Sequence, residues 1–353
     1  MARDAITVVG AGGFGLACAF ALARRGAAVR VVERRHPGAG SSGGHVGALA
    51  PHVPEQWNDK KQFQLDSLLM AETFWADVAR HGGADTGYAR LGRVQPLSDA
   101  AAIARARERA DSAAALWRGQ ADWRVVRGDD LPGLRLASPT DHYVLDTLSA
   151  RISPRAAGRA LVAALSALGV QVTIDPDHPE APQPGMGPTL WATGAPGLAA
   201  LSRQVGRSVG MGIKGQSALL RHDARRAPQV FADGLHIVPH ADGTVAIGST
   251  TERDFADLET DDQLTTLIAQ ARAICPDLAS APVIDRWAGA RPRAKSRAPM
   301  LGGWPGAPGH LIANGGFKIG FGMAPKVAEV MADLMLEGRD AIPAGFRVEA
   351  SLG

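Results

Sequence analysis

The first thirty residues follow a strand, helix, strand pattern of hydrophobic positions. The apolar run Ile6–Val9 predicts a short buried strand, and residues 14–25 predict a helix that ends at Gly26. Val29–Glu33 predicts the next strand. A strand, a glycine-rich turn, a helix and a second strand in this order are typical of the start of a parallel α/β sheet.

Helix and strand patterns then alternate along the rest of the chain. Further helices are predicted over residues 59–80, 98–119 with Ser98 as the cap, 153–168, 261–274 and 323–336. Further strands are predicted over residues 90–97, 123–127, 170–174, 190–192, 283–290 and 311–314. Short strands and turns between Lys214 and Ser249 predict an antiparallel sheet, and the proline-rich segment 175–188 predicts a loop. Mixed or antiparallel segments interrupt these α/β elements twice along the chain. This arrangement predicts two domains, each built from discontinuous segments.

Composition narrows the class of protein. The chain has 353 residues, of which 46% are hydrophobic, enough for a large core and one or two domains. The net charge is +3 and no basic block is present, so nucleic acid is not an expected partner. Cys18 and Cys275 are isolated, which predicts neither a disulfide framework nor a metal site and fits the cytoplasm. No segment has the length and hydrophobicity expected of a membrane span. The oligomeric state is left open.

The turn after the first strand contains a dinucleotide-binding pattern. Gly10, Gly12 and Gly15 form GxGxxG between strand and helix: the first permits a tight turn, the second lets the backbone approach a pyrophosphate, and the third lets helix and strand pack closely. The helix N-terminus offers N–H groups to phosphates. Glu33 ends the second strand eighteen residues after Gly15, where a carboxylate accepts hydrogen bonds from ribose hydroxyls. The pattern predicts a bound dinucleotide and disfavours NADP.

Several later segments resemble one enzyme family when they are taken in order. A loop of small residues, 37–44, directly follows the acidic strand end. The other segments are ISPR at 152–155, WATGA at 191–195, IVP at 237–239 with IGST at 247–250, WAGARP at 287–292 and NGGFKIG at 314–320. This ordered set resembles the D-amino-acid oxidase and glycine oxidase family of FAD-dependent oxidoreductases over nearly the whole chain. The bacterial glycine oxidase-like members are the most similar.

The resemblance implies an α/β fold with a Rossmann-type FAD-binding domain and a substrate-binding domain that has a mixed or antiparallel sheet. The FAD-binding domain is expected over residues 1–52, 143–206 and 296–353, and the substrate-binding domain over 53–142 and 207–295. FAD is expected to bind non-covalently through Gly10, Gly12, Gly13, Phe14, Gly15, Glu33, Arg34, Ser41, Ser42, Gly43, His45, Val46, Gly47, Thr193, Gly194, Gly315, Gly316, Phe317, Lys318, Ile319 and Gly320. The chain departs from the family where relatives place a β-meander that helps to seat the adenine, because here only the loop 175–188 is present.

The resemblance also implies a reaction, the oxidative deamination of a small amino acid. Hydride passes from the α-carbon to flavin N5, an imine forms, and O2 reoxidises the flavin to give H2O2. Arg291 is the expected partner of the substrate carboxylate, since a guanidinium binds a carboxylate in a bidentate manner. Lys318 is expected to stabilise the negative charge of reduced flavin, and His236 is a candidate substrate contact. His236 and Lys318 stand where relatives often carry tyrosine and arginine, so the substrate is not fixed as glycine.

Three other functions stay open at this stage. One is oxidation of a secondary N-methyl amine, as in sarcosine oxidases. Another is flavin-dependent trimming of a modified tRNA base, which predicts a basic surface or a fused methyltransferase, neither visible here. The last is a non-catalytic flavin subunit, which would lack an arginine such as Arg291. Lys214 is interpreted as structural. The substrate side chain, its stereochemistry and the choice between oxidase and dehydrogenase are left open.

Overall fold

The computed structural model describes residues 5–353, which form two large β-sheets, one small sheet and seven α-helices. The strands are β1 (Ile6–Val9), β2 (Val29–Glu33), β3 (Ala48–Leu49), β4 (Arg93–Pro96), β5 (Trp123–Arg127), β6 (His142–Asp146), β7 (Ala150–Arg151), β8 (Val172–Ile174), β9 (Thr189–Trp191), β10 (Gly210–Arg221), β11 (Gln229–Ala232), β12 (Leu235–Pro239), β13 (Thr244–Gly248), β14 (Val283–Ala294), β15 (Met300–Gly303) and β16 (His310–Asn314). The helices are α1 (Gly13–Arg24), α2 (Asp59–Gly82), α3 (Ala100–Leu116), α4 (Pro154–Ala167), α5 (Gly194–Val205), α6 (Asp262–Ile274) and α7 (Gly320–Glu337).

The first large sheet carries the dinucleotide turn. Its six strands lie in the order β15-β16-β9-β1-β2-β8, and all neighbours are parallel except β15 and β16. Strand β1 is central and buried along its whole length, as its unbroken apolar sequence requires. The carboxyl end of β1 therefore opens at the middle of the sheet edge, where ligands of such folds bind.

A layer of four helices, α1, α2, α4 and α7, packs beside this sheet. Phe20 of α1 meets Phe74 of α2 edge-on, with ring centroids 5.9 Å apart. The apolar face of α2 thus belongs to the same core as α1. Residues 59–82, which were expected in the substrate-binding domain, therefore pack with the helices beside the six-stranded sheet.

The second large sheet is mostly antiparallel. Its eight strands lie in the order β14-β10-β13-β12-β11-β4-β6-β5, and only β11 and β4 are parallel. Helix α6 covers one face, packing Leu264 and Ile268 against Ile237 and Ile247. Strand β6 extends this sheet beyond the expected boundary at residue 143, because its backbone pairs with β4 and β5. The mixed sheet that the sequence predicts is confirmed.

Several helix limits differ from the sequence prediction. Asp99, not Ser98, caps α3: its carboxylate accepts a hydrogen bond from the backbone N–H of Ala102, and the helix ends at Leu116. Helix α7 begins at Gly320, three residues earlier than predicted. Among residues 5–353, no helix combines the length and the hydrophobicity that crossing a bilayer requires.

Candidate functional site

One cavity of about 1490 Å³ lies between the two large sheets. Glu33 and Arg34 line it at the dinucleotide turn, and Arg291, Lys318 and His236 line it beside the eight-stranded sheet. Ordinary small-molecule pockets measure about 300–1,000 Å³. This cavity is therefore large enough for a dinucleotide cofactor and a small substrate together.

The GxGxxG turn is held by contacts that exclude side chains. Gly10 has φ +103°, and a Cβ there would lie 2.5 Å from the carbonyl oxygen of Ala192. A Cβ on Gly15 would lie 1.9 Å from the carbonyl oxygen of Gly10. Gly12 differs, because a Cβ there would meet only Ser42 Oγ at 3.3 Å. Gly10 and Gly15 thus serve the turn itself, while the space above Gly12 opens to the cavity.

The carboxylate of Glu33, at the end of β2, stabilises the glycine-rich turn. It accepts hydrogen bonds from the backbone N–H groups of Ala11 at 2.8 Å and Arg35 at 3.0 Å. Glu33 lines the cavity, so its placement fits the expected ribose contact and adds a structural role that the sequence did not indicate. No side chain caps helix α1 at Gly12, which leaves its N-terminus facing the cavity.

The proline-rich loop 175–188 reaches the dinucleotide end of the cavity. Arg34 donates to the carbonyl oxygen of Pro176 at 2.9 Å and pairs with Glu180 at 2.5 Å. Pro176, Pro179 and Glu180 all line the cavity. The loop therefore forms part of the wall at the dinucleotide end, and Arg34 holds it there through these two contacts.

The loop of small residues lies against both the turn and the second sheet. Ser42 Oγ accepts a hydrogen bond from the Gly13 N–H at 2.9 Å, and Arg155 donates to the Gly43 carbonyl oxygen at 2.7 Å. A Cβ on Gly47 would lie 1.9 Å from the Ile152 carbonyl oxygen. Ser41, Ser42, Val46 and Gly47 line the cavity.

His45 is buried with both ring nitrogens engaged. Nδ1 lies 3.0 Å from Ser217 Oγ, and Nε2 lies 3.0 Å from a carboxylate oxygen of Asp285. Burial lowers the pKa of His45, partly offset by its hydrogen bond to Asp285. Asp285 also pairs with Arg155 at 2.6 Å. His45 therefore ties the small-residue loop to β10 and β14.

The remaining expected cofactor residues lie on two segments at the edge of the six-stranded sheet. Gly194 accepts a hydrogen bond from Asn314 Nδ2 at 2.9 Å, which joins the start of α5 to the C-terminal motif. Gly315 has φ +73°, and a Cβ on Gly316 would meet the Phe14 ring at 2.9 Å. Thr193, Gly194 and the segment Gly315, Gly316, Phe317, Lys318, Ile319 and Gly320 all line the cavity.

Arg291 is a buried cation whose hydrogen-bond partners are neutral. It is 8% exposed and donates to Ser249 Oγ and the Thr250 carbonyl oxygen, both at 2.6 Å. Its Nε has no partner, and no acidic side chain of residues 5–353 lies within 4.0 Å. Burial lowers its pKa to about 10, so the guanidinium stays charged at neutral pH. Gly215 makes room for it, since a Cβ there would lie 2.5 Å from Cζ.

Lys318 and His236 flank the same part of the cavity. The Lys318 ammonium and the Arg291 guanidinium lie 5.8 Å and 5.3 Å from the centroid of the Phe317 ring. Burial and the charge of Arg291 lower the pKa of Lys318. Burial lowers the pKa of His236 to about 3, with help from the charges of Arg93 and Lys318. His236 is therefore neutral at physiological pH. The structure thus brings the three expected catalytic residues to one end of the cavity.

Sequence reasoning missed part of the cavity wall. Gln95, Phe231 and Trp287 also face the cavity, from strands β4, β11 and β14. Gln95 and Phe231 belong to no motif, and Trp287 begins the WAGARP segment but was not assigned to the site; only the pairing of distant strands brings the three together. The alternation of apolar and polar positions in β4 was the one signal available.

The site combines a dinucleotide-type glycine turn with a buried arginine that has no acidic partner within 4.0 Å among residues 5–353. The profile of the family described as "FAD dependent oxidoreductase" (DAO) matches residues 5–334. The chain belongs to this family, is an enzyme of the FAD-dependent oxidoreductase class, and uses FAD as its cofactor. The turn fits that cofactor, because the Gly12 backbone and the uncapped α1 N-terminus face the cavity.

Relatives and solved structures agree with this assignment. A glycine oxidase of Pseudomonas aeruginosa is 36% identical over 132 residues, which are 37% of this chain and 36% of that relative. The match thus spans little more than a third of its length. The crystal structure of glycine oxidase from Geobacillus kaustophilus has a TM-score of 0.84 at 22% identity, covering 97% of both chains. Iminodiacetate oxidase from Chelativorans sp. BNC1 has a TM-score of 0.79 at 22% identity, covering 97% of this chain and 98% of that one. The two structures show the shared fold.

Proposed function

We propose that the protein oxidises the carbon–nitrogen bond of a small amino acid to an imine, with O2 as the final electron acceptor. The observation that carries this proposal is Arg291, a buried guanidinium that faces the cofactor cavity and has only neutral partners. A buried charge without a counter-ion is costly unless a ligand supplies one. A substrate carboxylate would supply it.

Arg291 would also orient the substrate. The guanidinium presents parallel N–H groups that suit two carboxylate oxygens, and Ser249 and Thr250 fix its plane through two hydrogen bonds of 2.6 Å. A carboxylate held in this way fixes the position of the neighbouring α-carbon. Bound FAD supplies the two-electron acceptor for the hydride that leaves this carbon. The protein contributes position and charge.

The charges around the substrate favour the reactive form of the amine. The only acidic residues that line the described cavity, Glu33 and Glu180, belong to the dinucleotide end. Arg291 and Lys318 disfavour a second positive charge nearby, so they lower the pKa of a substrate ammonium. A neutral amine has the lone pair that forms the C=N bond as the hydride leaves. No dedicated base is needed for that step.

The binding of FAD is proposed to be non-covalent. A histidine that carries a flavin must give one ring nitrogen to the bond, and both nitrogens of His45 are already engaged by Ser217 and Asp285. The purified protein should therefore release intact FAD on denaturation. Flavin that stays with the denatured chain would contradict this.

Anaerobic titration of the holoenzyme tests the proposed reaction. Glycine, sarcosine, D-amino acids and diamines are added in turn, and loss of the oxidised flavin absorption is recorded. Bleaching by amino acids, with release of ammonia and an oxo acid, is the expected result. Bleaching by diamines alone would refute the amino-acid proposal. H2O2 measured in air then tests O2 as the acceptor.

A second candidate reaction is the oxidation of a secondary amine, such as an N-methyl amine. The neighbouring fold of iminodiacetate oxidase, whose name denotes a secondary amine substrate, favours keeping this candidate. Release of a primary amine instead of ammonia in the same titration distinguishes it. Trimming of a modified tRNA base has no comparable support in the cavity.

A further inference from the structure

Three cavity residues outside the GxGxxG turn and the small-residue loop form one row across neighbouring strands. Phe231 of β11 pairs with His236 of β12, and the parallel register of β11 with β4 brings Gln95 level with Phe231. All three side chains line the cavity. The row thus presents a polar side chain on each side of an aromatic ring.

Both polar members of this row have an unpaired buried atom. Gln95 Nε2 and His236 Nδ1 are buried without a hydrogen-bond partner among the described residues. Buried polar atoms are satisfied in the great majority of cases, and an unmade hydrogen bond costs free energy. A polar ligand group at the row would satisfy both. The amide nitrogen of Gln95 can only donate a hydrogen bond, so the ligand group must be a hydrogen-bond acceptor.

The charged residues near this row indicate the charge of the ligand group. Arg93 lies next to the row but is already paired with Asp146 at 2.9 Å. Lys318 has no acidic side chain of residues 5–353 within 4.0 Å, and neither has Arg291. Arg291 and Lys318 are therefore two cavity cations without an acidic partner among residues 5–353. One carboxylate on Arg291 leaves the other cation without a partner.

We propose that Gln95, His236 and Lys318 form a second anion subsite, so that the substrate is an amino acid with two carboxylates. The α-carboxylate binds Arg291, and the second carboxylate accepts hydrogen bonds from Lys318 and Gln95. This inference rests on the proposed function and specifies its substrate class. The second carboxylate belongs either to the side chain, as in D-aspartate, or to a substituent on the nitrogen, as in iminodiacetate.

Matched pairs of substrates test the subsite on the holoenzyme. D-Aspartate is compared with D-asparagine, and iminodiacetate with its monoamide, so that each pair differs by one charge. We expect the acid to exceed the amide in kcat/KM by about ten- to a hundredfold in one of the pairs, as loss of a charge-assisted hydrogen bond implies. The pair that shows the preference identifies the position of the second carboxylate.

Lys318→Met is the decisive variant, and Lys326→Met is its matched control. Lys326 lies on α7 and pairs with Glu329, and it does not line the cavity. The acid-to-amide ratio should fall toward one in Lys318→Met and stay unchanged in Lys326→Met. Gln95→Leu should lower the ratio in the same direction.

Binding without turnover provides an independent readout. Malonate and acetate are titrated into the oxidised holoenzyme, and the change in the flavin spectrum gives each Kd. Malonate should bind more tightly in the wild type, and this preference should be lost in Lys318→Met.

Each outcome decides a different claim. Equal use of acids and amides, with flavin still bleached by amino acids, refutes the second subsite and leaves the proposed function intact. If Lys318→Met lowers the flavin reduction potential and slows both members of each pair equally, Lys318 acts on the flavin and the subsite is refuted. If no amine bleaches the flavin, the proposed function fails, and the malonate preference alone decides whether the anion subsite exists.

Discussion

Replacing Arg291 with leucine tests the substrate-binding role most directly. The guanidinium is buried and no acidic side chain of residues 5–353 lies within 4.0 Å of it, so a bound carboxylate would depend on it heavily. Removing one partner of a desolvated ion pair costs about 3–5 kcal/mol. The kcat/KM for amino acids should therefore fall by at least about two orders of magnitude. FAD content and the visible spectrum should stay normal, because Arg291 belongs to the eight-stranded sheet and not to the GxGxxG turn.

Two controls separate a ligand role from damage to the fold. Amines without a carboxylate should lose far less activity in Arg291→Leu, since they never used the guanidinium. Arg286→Leu removes an exposed arginine from the same strand and should leave all activities unchanged. Stopped-flow reduction of the flavin under anaerobic conditions gives both values. If amino acids and plain amines lose activity in equal proportion, Arg291 is structural and the amino-acid proposal loses its main support.

Three further predictions concern the cofactor turn and pH. Gly12→Ala should fold with an unchanged Tm, because its Cβ would meet only Ser42 Oγ at 3.3 Å, but it should bind FAD weakly. Gly15→Ala should lower the Tm, because its Cβ would lie 1.9 Å from the Gly10 carbonyl oxygen. Glu33→Gln should raise the Kd for FAD about tenfold or more, the value of a charge-assisted hydrogen bond, and an unchanged Kd would remove Glu33 from the FAD site. The pKa of His236 is about 3 in the folded chain, against an ordinary value of 6.5. At a pH between these two values, the unfolded chain therefore binds one proton more than the folded chain. The free energy of unfolding should therefore fall on acidification by up to about 1.4 kcal/mol per pH unit from this group, and less steeply in His236→Phe, as urea unfolding at about pH 7 and pH 5 would show.

The dinucleotide half could be predicted closely from the sequence because its determinants are local. Strands β1 and β2 have the predicted limits, and the three glycines stand where the turn needs them. Each signal lies within about thirty-five residues, so no knowledge of distant pairing was required. Helix α3 shows the limit of such signals, since Ser98 and Asp99 are both good caps and only the structure shows which one is used.

The substrate half could not be derived in the same way, because its residues meet through long-range pairing. Gln95 and His236 are far apart in the chain and share a row only through the registers of β4, β11 and β12. Helix α2 lies within a segment expected in the substrate-binding domain, yet it packs aromatic side chains against α1. Amphipathicity indicates that a helix has an apolar face but not which core receives it.

Arg291 lacks an acidic partner among residues 5–353 for a reason that no motif indicates. Burial lowers the pKa of Arg291 and the charge of Glu252 partly offsets this, so a free carboxylate at Glu252 would compete with the substrate. Lys214, buried beside it, lies 3.6 Å from Glu252 and 3.3 Å from Asp261, while Gln216 donates to Glu252 at 3.1 Å. Lys214 and Gln216 thus hold these acids, and Arg291 is left with neutral acceptors. The structural interpretation of Lys214 and the ligand role proposed for Arg291 therefore depend on each other: the first cation holds the protein's own carboxylates, which leaves the second available for a carboxylate from outside.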